Sequence, residues 1–221
     1  TFNDIDWQAV RLSFKSLSFG RRIQIAKFTN EWFPTLKHLS RIDNSVDNRC
    51  FACQQLNEDT EHVFCCMSER RTAAREEAMQ QFKKHLSRLY TPAPMANVIL
   101  DMMWKWMKKE TLIHVRLPEN DDSTTEIHKS INQATVYQGY IGWGHWFRGR
   151  ISNKWKEVIA HYYSERQLGA QYNPTNRIKK TVDQQWTFYL TIWHCRNGQK
   201  YGKDKEEAAK LALEVAQQSV R

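Results

Sequence analysis

Apolar side chains recur every three or four positions along most of the chain, which is the spacing of one face of an α-helix. The first such stripe consists of Trp7, Val10, Phe14 and Leu17, and Asn3 or Asp4 is predicted to cap it. No segment shows a convincing alternation of polar and apolar residues, so the pattern predicts an all-α, multi-helix fold. The helical segments predicted after the first are residues 21–32, 35–42, 69–90, 95–109, 126–134, 152–162, 178–193 and 203–220.

Residues 111–125 interrupt the helical pattern and contain Pro118 beside the acidic run 119–122. Proline cannot continue a helix and a polar run offers no face to bury, so we expect a linker here. It would separate a subdomain at 1–110 from a basic, tryptophan-rich helical subdomain at 126–221. The 221 residues include only 8 Gly and 5 Pro, which argues against a turn-rich β-sandwich or barrel. The absence of a long uncharged apolar run argues against a membrane span.

Four of the five cysteines lie close to a histidine in the sequence, and three of them form with it the array C-x2-C-x8-H-x3-C, namely Cys50, Cys53, His62 and Cys66. Zn²⁺ takes four thiolate or imidazole ligands at tetrahedral corners, and four protein ligands are typical of a structural site. The i, i+4 spacing of His62 and Cys66 places both on one face of a helical turn. Cys65 is an alternative fourth ligand, and buried free cysteines are the alternative to a metal site. The odd total of five cysteines, four of them clustered with a histidine, favours an intracellular metal site over a disulfide framework.

The net charge is +9, and most of the excess lies in residues 126–180, which carry nine basic and three acidic side chains. This balance favours a polyanionic partner, nucleic acid ahead of a membrane surface. Aromatic side chains are interleaved with the charges, as in proteins whose rings stack on single-stranded bases. Alternatively, Trp143, Phe147 and Trp155 belong to the core and the charges form a solvated face. The residues predicted to contact phosphate are Arg148, Arg150, Lys154, Lys156, Arg177, Lys179 and Lys180, with a second patch at Arg21, Arg22 and Lys27.

The sequence offers no arrangement that predicts catalysis. The only Asp-Asp pair, Asp121-Asp122, lies in the predicted linker, outside the context of a two-metal polymerase site. Cys195 directly follows His194, and adjacent helical residues point apart, so the two cannot act as nucleophile and base. We therefore expect a non-enzymatic protein without a small-molecule substrate, and a buried free thiol at Cys195. A nuclease would need clustered carboxylates, which are not found.

The residues around the cysteine array resemble the zinc-binding region that follows reverse transcriptase in retrotransposon polyproteins. The similarity extends over most of residues 20–202. Its first part consists of Lys27, Trp32, Pro34, Thr35, the array itself with Glu61-His62-Val63-Phe64, Glu69-Arg70-Arg71, Thr91, Pro92, Ile99 and Trp106. Its second part consists of Ile141-Gly142-Trp143, Phe147, Gly149-Arg150, Ser152, Trp155, the run Trp193-His194-Cys195-Arg196-Asn197-Gly198, and Gly202. Tyr201 stands where the family usually has a histidine.

The resemblance implies a non-catalytic region downstream of the polymerase and ribonuclease H domains, with Cys66 as the fourth zinc ligand. Since the chain begins with Thr, we expect it to be a piece of a longer polypeptide. The predicted function is a nucleic-acid-binding accessory module of a retroelement-type polyprotein, in the nucleus or cytoplasm, with RNA and DNA equally compatible and no membrane partner.

The alternative function is a protein–protein scaffold, including a host-retained copy, whose basic surface meets an acidic partner. Burial of Trp143, Trp146 and Trp155 with dispersed basic residues would favour the scaffold. A contiguous basic groove with accessible rings would favour nucleic acid.

Overall fold

The computed structural model describes residues 2–110, 126–169 and 172–219. Within these ranges the regular structure is helical, apart from an isolated antiparallel bridge between Ile5 and Ser152, and the predicted all-α fold is confirmed. A short 3-10 helix spans Phe2–Asp4. The α-helices that follow are α1 (Trp7–Ser16), α2 (Phe19–Thr29), α3 (Leu36–Leu39), α4 (Thr60–Cys65), α5 (Glu69–Arg88), α6 (Ala93–Met107), α7 (Glu126–Ile141), α8 (Trp143–Phe147), α9 (Asn153–Glu165), α10 (Pro174–Tyr201) and α11 (Lys205–Ser219).

Short polar side chains fix where several helices begin. The carboxylate of Asp6 accepts a hydrogen bond from the Ala9 N–H at 3.0 Å and caps α1, rather than the predicted Asn3 or Asp4. Ser152 caps α9, as the sequence predicts. Each cap satisfies a backbone donor that the first helical turn leaves without a partner.

The longest helix departs from its predicted end. Residue Gly198 lies inside α10, which continues to Tyr201 and stops before Gly202, where φ is +81°. A glycine costs about 1 kcal/mol in a helix interior, and the buried face formed by Trp193 and Arg196 offsets this cost. The predicted linker at 111–125 lies outside the described residues.

The described chain divides into two compact units. Unit 1 comprises Thr1–Trp32 and Met79–Phe188, and unit 2 comprises Phe33–Ala78 and Tyr189–Arg221. Each unit draws on segments from both sides of residues 111–125, a different division from the one predicted at 1–110 and 126–221. The unit boundaries fall within α5 and α10.

Aromatic side chains dominate the core of unit 1. Trp143, Trp146 and Trp155 are 2%, 0% and 0% exposed. The rings of Trp146 and Trp155 meet edge to face at 6.3 Å, and Phe147 packs 5.5 Å from Phe188. These tryptophans therefore belong to the core, which is the structural alternative the sequence left open.

Unit 2 has an aromatic core of its own. The Phe33 ring lies 4.4 Å from Trp193, and the Phe64 ring lies 5.2 Å from Tyr189. Phe64 belongs to α4, so this packing holds the helix that carries His62. Among the described helices, none has the length and apolarity needed to cross a membrane.

Candidate metal centre and basic surface

The four side chains of the cysteine–histidine array converge in unit 2. Cys50 Sγ lies 3.9 Å from Cys66 Sγ, and Cys53 Sγ lies 3.3 Å from His62 Nε2. All four ligand atoms lie within 4.8 Å of one another. Three of the residues are buried and Cys53 is half-buried. A single metal ion at the centre could contact all four.

Local backbone structure creates this convergence. After Cys50, the chain turns back through Gln54, whose φ of +61° allows its N–H to donate to the Cys50 carbonyl at 2.7 Å. This turn brings Cys50 and Cys53 to one side of the loop. The Asp59 carboxylate caps α4 by accepting the His62 N–H at 2.8 Å. Cys66 follows the last residue of α4 and faces His62 across one turn.

The thiols of Cys50 and Cys66 lie within hydrogen-bond distance of each other. Their contact raises the pKa of Cys50 and lowers the pKa of Cys66, so the thiolate forms at Cys66 first. The guanidinium of Arg75, which is 3% exposed, donates to the carbonyls of Phe64 and Cys66 and places a positive charge at the end of α4. A buried cation stabilises nearby thiolates, the form of cysteine that binds metals.

Cys65 does not belong to the convergent group. It is buried and directly precedes Cys66, but consecutive side chains on a helix point about 100° apart. The geometry therefore selects Cys66 over Cys65 as the fourth potential ligand.

A buried ionic triad lies in the same unit and was missed by the sequence analysis. Glu58, Arg71 and Arg196 are each 0% exposed. Glu58 Oε1 lies 3.0 Å from Arg71 Nη2, and Glu58 Oε2 lies 2.5 Å from Arg196 Nη2. Glu58 Oε2 also accepts the Leu36 N–H at 3.2 Å. The triad ties together the loop before α4, the first turn of α5 and the end of α10.

The triad contacts the loop that carries Cys50 and Cys53 through Phe51, which lies between these two cysteines. The guanidinium carbons of Arg71 and Arg196 lie 5.0 and 5.6 Å from the Phe51 ring centroid. The sequence contained one signal that Arg71 is buried. Arg71 and Arg75 continue the apolar stripe of Ala78 and Phe82 on α5 at spacings of three and four residues.

Most of the phosphate-contact residues predicted in 126–180 are paired with acids. Lys154 lies 2.9 Å from Glu157, Lys156 lies 3.3 Å from Asp6, and Lys179 lies 2.7 Å from Asp183. Arg148 pairs with Glu31. The pairs of Lys154 and Lys179 are local, within one helical turn, whereas Asp6 and Glu31 are distant in sequence from the cations they bind. The positive excess of this segment is therefore compensated in part by other segments of unit 1.

Two further residues predicted to contact phosphate, Arg150 and Arg177, instead contact imidazole or aromatic side chains. Arg150 Nη1 lies 3.2 Å from His145 Nδ1. The guanidinium of Arg177 lies 5.4–6.0 Å from the ring centroids of Tyr90, Tyr163 and Tyr172. Lys180, the last of the predicted set, is exposed on α10.

The second predicted patch has no such compensation. Residues 7–30 contain five basic and no acidic side chains. In the part of the chain that the structure describes, no carboxylate lies within 4.0 Å of the five, and all of them are exposed. We call this set the α1–α2 cation patch, and its members are Arg11, Lys15, Arg21, Arg22 and Lys27. Phe19, 78% exposed, begins α2 beside it.

The predicted free thiol at Cys195 is half-buried, not fully buried. Its Sγ lies 3.9 Å from the carbonyl oxygen of Arg70 on α5, and His194 is exposed. The reason is that α10 presents Trp193 and Arg196 to the core of unit 2, which leaves the positions between them at its edge.

Comparison of the chain with models of protein families, with curated proteins and with solved structures finds no match. The resemblance to the retrotransposon region therefore remains a prediction from the residues quoted above.

Proposed function

We propose that this chain is a non-catalytic nucleic-acid-binding module of a retroelement-type polyprotein, with a structural zinc ion in unit 2. The observation that carries the proposal is the α1–α2 cation patch, whose charges are exposed and unpaired beside an accessible ring. Phosphates release condensed counterions when such cations bind them, and a ring such as Phe19 can stack on an unpaired base.

The choice of zinc rests on the donor set. Three thiols and one imidazole select zinc or iron, and a mononuclear Cys3His set is common for structural Zn²⁺. A tetrahedron with Zn–S bonds of about 2.3 Å has sulfur atoms about 3.8 Å apart, and Cys50 and Cys66 stand 3.9 Å apart. Four protein ligands leave no corner for a substrate, which supports a role in stability rather than catalysis.

The assignment of zinc to this site is tested by metal analysis of the purified chain and of the variants Cys66→Ser and Cys65→Ser. We expect one equivalent of zinc in the parent and in Cys65→Ser, and strong loss in Cys66→Ser. A chelator should increase hydrogen exchange in unit 2 before unit 1, because metal binding contributes folding free energy there. Stoichiometric iron, or unchanged exchange after complete metal removal, would contradict the assignment.

Nucleic-acid binding is tested with labelled single-stranded RNA and DNA over a series of salt concentrations. The test variant combines Arg21→Gln with Lys27→Gln, because Arg22 also donates hydrogen bonds to the carbonyls of Lys15 and Leu17. Lys83→Gln with Lys84→Gln removes the same charge from an exposed part of α5 in unit 1 and is the control.

We expect the test variant to bind more weakly and its salt slope to be smaller by about 0.7–0.9 per lost phosphate contact. Equal losses in both variants would show attraction by net charge alone. Undetectable binding of the parent to RNA and DNA at low salt would refute the proposal.

A protein–protein scaffold is the second candidate function. It is favoured by the burial of Trp143, Trp146 and Trp155 and by the ion pairs of Lys154 and Lys156. A scaffold with a basic face should bind an acidic polypeptide such as polyglutamate at least as tightly as a single strand of equal charge. Tighter binding of the strand would favour nucleic acid, because only bases offer rings for stacking.

A further inference from the structure

A cavity of about 460 Å³ lies within unit 1, between α1, α2, α10 and the turn after α8. Its apolar wall includes Trp7, Phe14, Ile25 and Trp186. Its volume lies within the range of about 300–1,000 Å³ that is common for small-molecule sites. Two contacts position rings of this wall: the Trp7 indole donates to the Phe2 carbonyl at 2.9 Å, and the Phe14 ring meets Trp186 edge to face.

Three arginines line the same cavity: Arg11, Arg148 and Arg150. The only carboxylate paired with any of them, among the residues that the structure describes, is that of Glu31, which binds Arg148 and is itself half-exposed. Arg11 is exposed, so the rim of the cavity reaches solvent on that side. Three cations beside one carboxylate leave a site of positive charge next to an apolar wall.

The turn after α8 is built to hold its two arginines at this cavity. The Arg150 N–H donates to the His145 carbonyl and the Gly149 N–H to the Trp146 carbonyl, the pair of bonds that defines a Schellman helix end. Gly149 has a φ of +82°, and a Cβ there would lie 2.8 Å from Trp186 Nε1. Only glycine lets the turn lie directly on the indole that lines the cavity.

The positive charges of this group also affect the pKa values of Arg150 and His145. Burial first, and the charge of Arg148 second, lower the pKa of Arg150. The same two causes, with Arg150 as the nearest charge, lower the pKa of His145, so this imidazole is neutral at pH 7 and adds no positive charge. A bound anion would relieve the repulsion between the arginines.

We propose that this cavity binds a nucleotide, with its ring against the apolar wall and its phosphate at Arg11 and Arg150. The inference deepens the proposed function, because it places one nucleotide of a ligand in a defined site. The nucleotide could be free or could be the phosphorylated end of a strand. Both sources present the same chemistry of a planar ring and a phosphate.

Calorimetry with adenosine 5′-monophosphate, adenosine and inorganic phosphate tests the cavity directly. We expect the nucleotide to bind at least about 10-fold more tightly than either part, because both the wall and the arginines contribute. Arg150→Gln should weaken binding about 10-fold through loss of a charge-assisted hydrogen bond. Arg166→Gln is the control, since Arg166 is an exposed arginine of unit 1 that stacks on Tyr162 away from the cavity.

Two strands of one sequence, with a 5′-phosphate or a 5′-hydroxyl, separate the two sources. A preference for the phosphorylated strand, lost in Arg150→Gln, assigns the cavity to strand ends. Mononucleotide binding that neither strand displaces assigns it to a free nucleotide.

Absence of mononucleotide binding together with equal affinity for both strands would overturn the cavity proposal. The proposed function would still stand in that case if the Arg21→Gln/Lys27→Gln variant lost strand binding. Equal loss of nucleotide binding in Arg150→Gln and Arg166→Gln would also overturn the cavity proposal. Arg150→Lys, which keeps the charge, and thermal unfolding of each variant exclude a loss caused by misfolding.

Discussion

Replacing Glu58 with glutamine should destabilise unit 2 more than any other isosteric change of a carboxylate in that unit. Glutamine keeps the shape of the side chain but removes its charge, so Arg71 and Arg196 remain buried without a counter-charge. Its amide also places an N–H donor toward groups that already donate, namely Arg196 and the Leu36 N–H.

The magnitude follows from the burial and the two contacts. At an effective dielectric constant of about 20, two unit charges about 4 Å apart attract by about 4 kcal/mol. Glu58 makes two such contacts at 3.0 and 2.5 Å, and all three side chains are 0% exposed. The repulsion between the two arginines offsets part of the gain, and breaking a buried pair costs about 3–5 kcal/mol overall. We expect Glu58→Gln to fall in this range, a large share of the total stability of a domain.

The pH dependence gives a second signature of the same interaction. Burial raises the pKa of Glu58, but the hydrogen bonds and charges of Arg196 and Arg71 outweigh it and hold the pKa below its ordinary value. The carboxylate therefore stabilises the fold fully above the unfolded pKa of about 4.3, and this contribution is lost as the pH falls through the folded value. The difference in stability between parent and Glu58→Gln should thus shrink below about pH 4. Metal release in acid affects both proteins and cancels in the difference.

Hydrogen exchange in increasing denaturant, followed on peptides from 60–78 and 189–201 of the protein incubated with Zn²⁺, measures the opening of unit 2. The control is Asp47→Asn, which changes an exposed carboxylate of the same unit that lies 4.0 Å from Arg49. This exposed pair should contribute less than about 1 kcal/mol. If Glu58→Gln changes the opening free energy no more than Asp47→Asn does, the triad is not a stabilising element and the reasoning fails.

Two further predictions concern the turn at the cavity and the start of α4. Gly149→Ala should destabilise unit 1 by about 2–4 kcal/mol in thermal unfolding, because alanine is strained at a positive φ and its Cβ meets Trp186. The control is Gly20→Ala, which should be neutral or slightly stabilising because no neighbour lies within 4 Å of its Cβ. Equal effects of the two substitutions on stability would contradict the packing argument. Asp59→Ala should cost about 1 kcal/mol through loss of the helix cap and should weaken zinc affinity measured with a competing chelator, because the cap positions His62. An unchanged zinc affinity would show that His62 is positioned without the cap.

The cysteine–histidine cluster and the helices are the features that the sequence determined. Both are local: a C-x2-C turn and an i, i+4 pair fix the relative positions of Cys50, Cys53, His62 and Cys66 within 17 residues. The helical stripes likewise depend on spacing along one segment. Such features survive in the tertiary structure because few distant contacts are needed to create them.

Tertiary structure alone decided which charges are buried, which are paired and which remain free. Glu58 and Arg196 lie 138 positions apart, and their pairing converts two residues of ordinary surface type into a buried group. The pairs of Asp6 with Lys156 and of Glu31 with Arg148 likewise neutralise cations that look unpaired within residues 126–180. Charge interactions depend on distance in space and on burial, neither of which spacing along the chain records. The sequence could therefore propose a basic patch at Arg21, Arg22 and Lys27, but only the fold decided that these charges stay unpaired while most of those predicted in residues 126–180 do not.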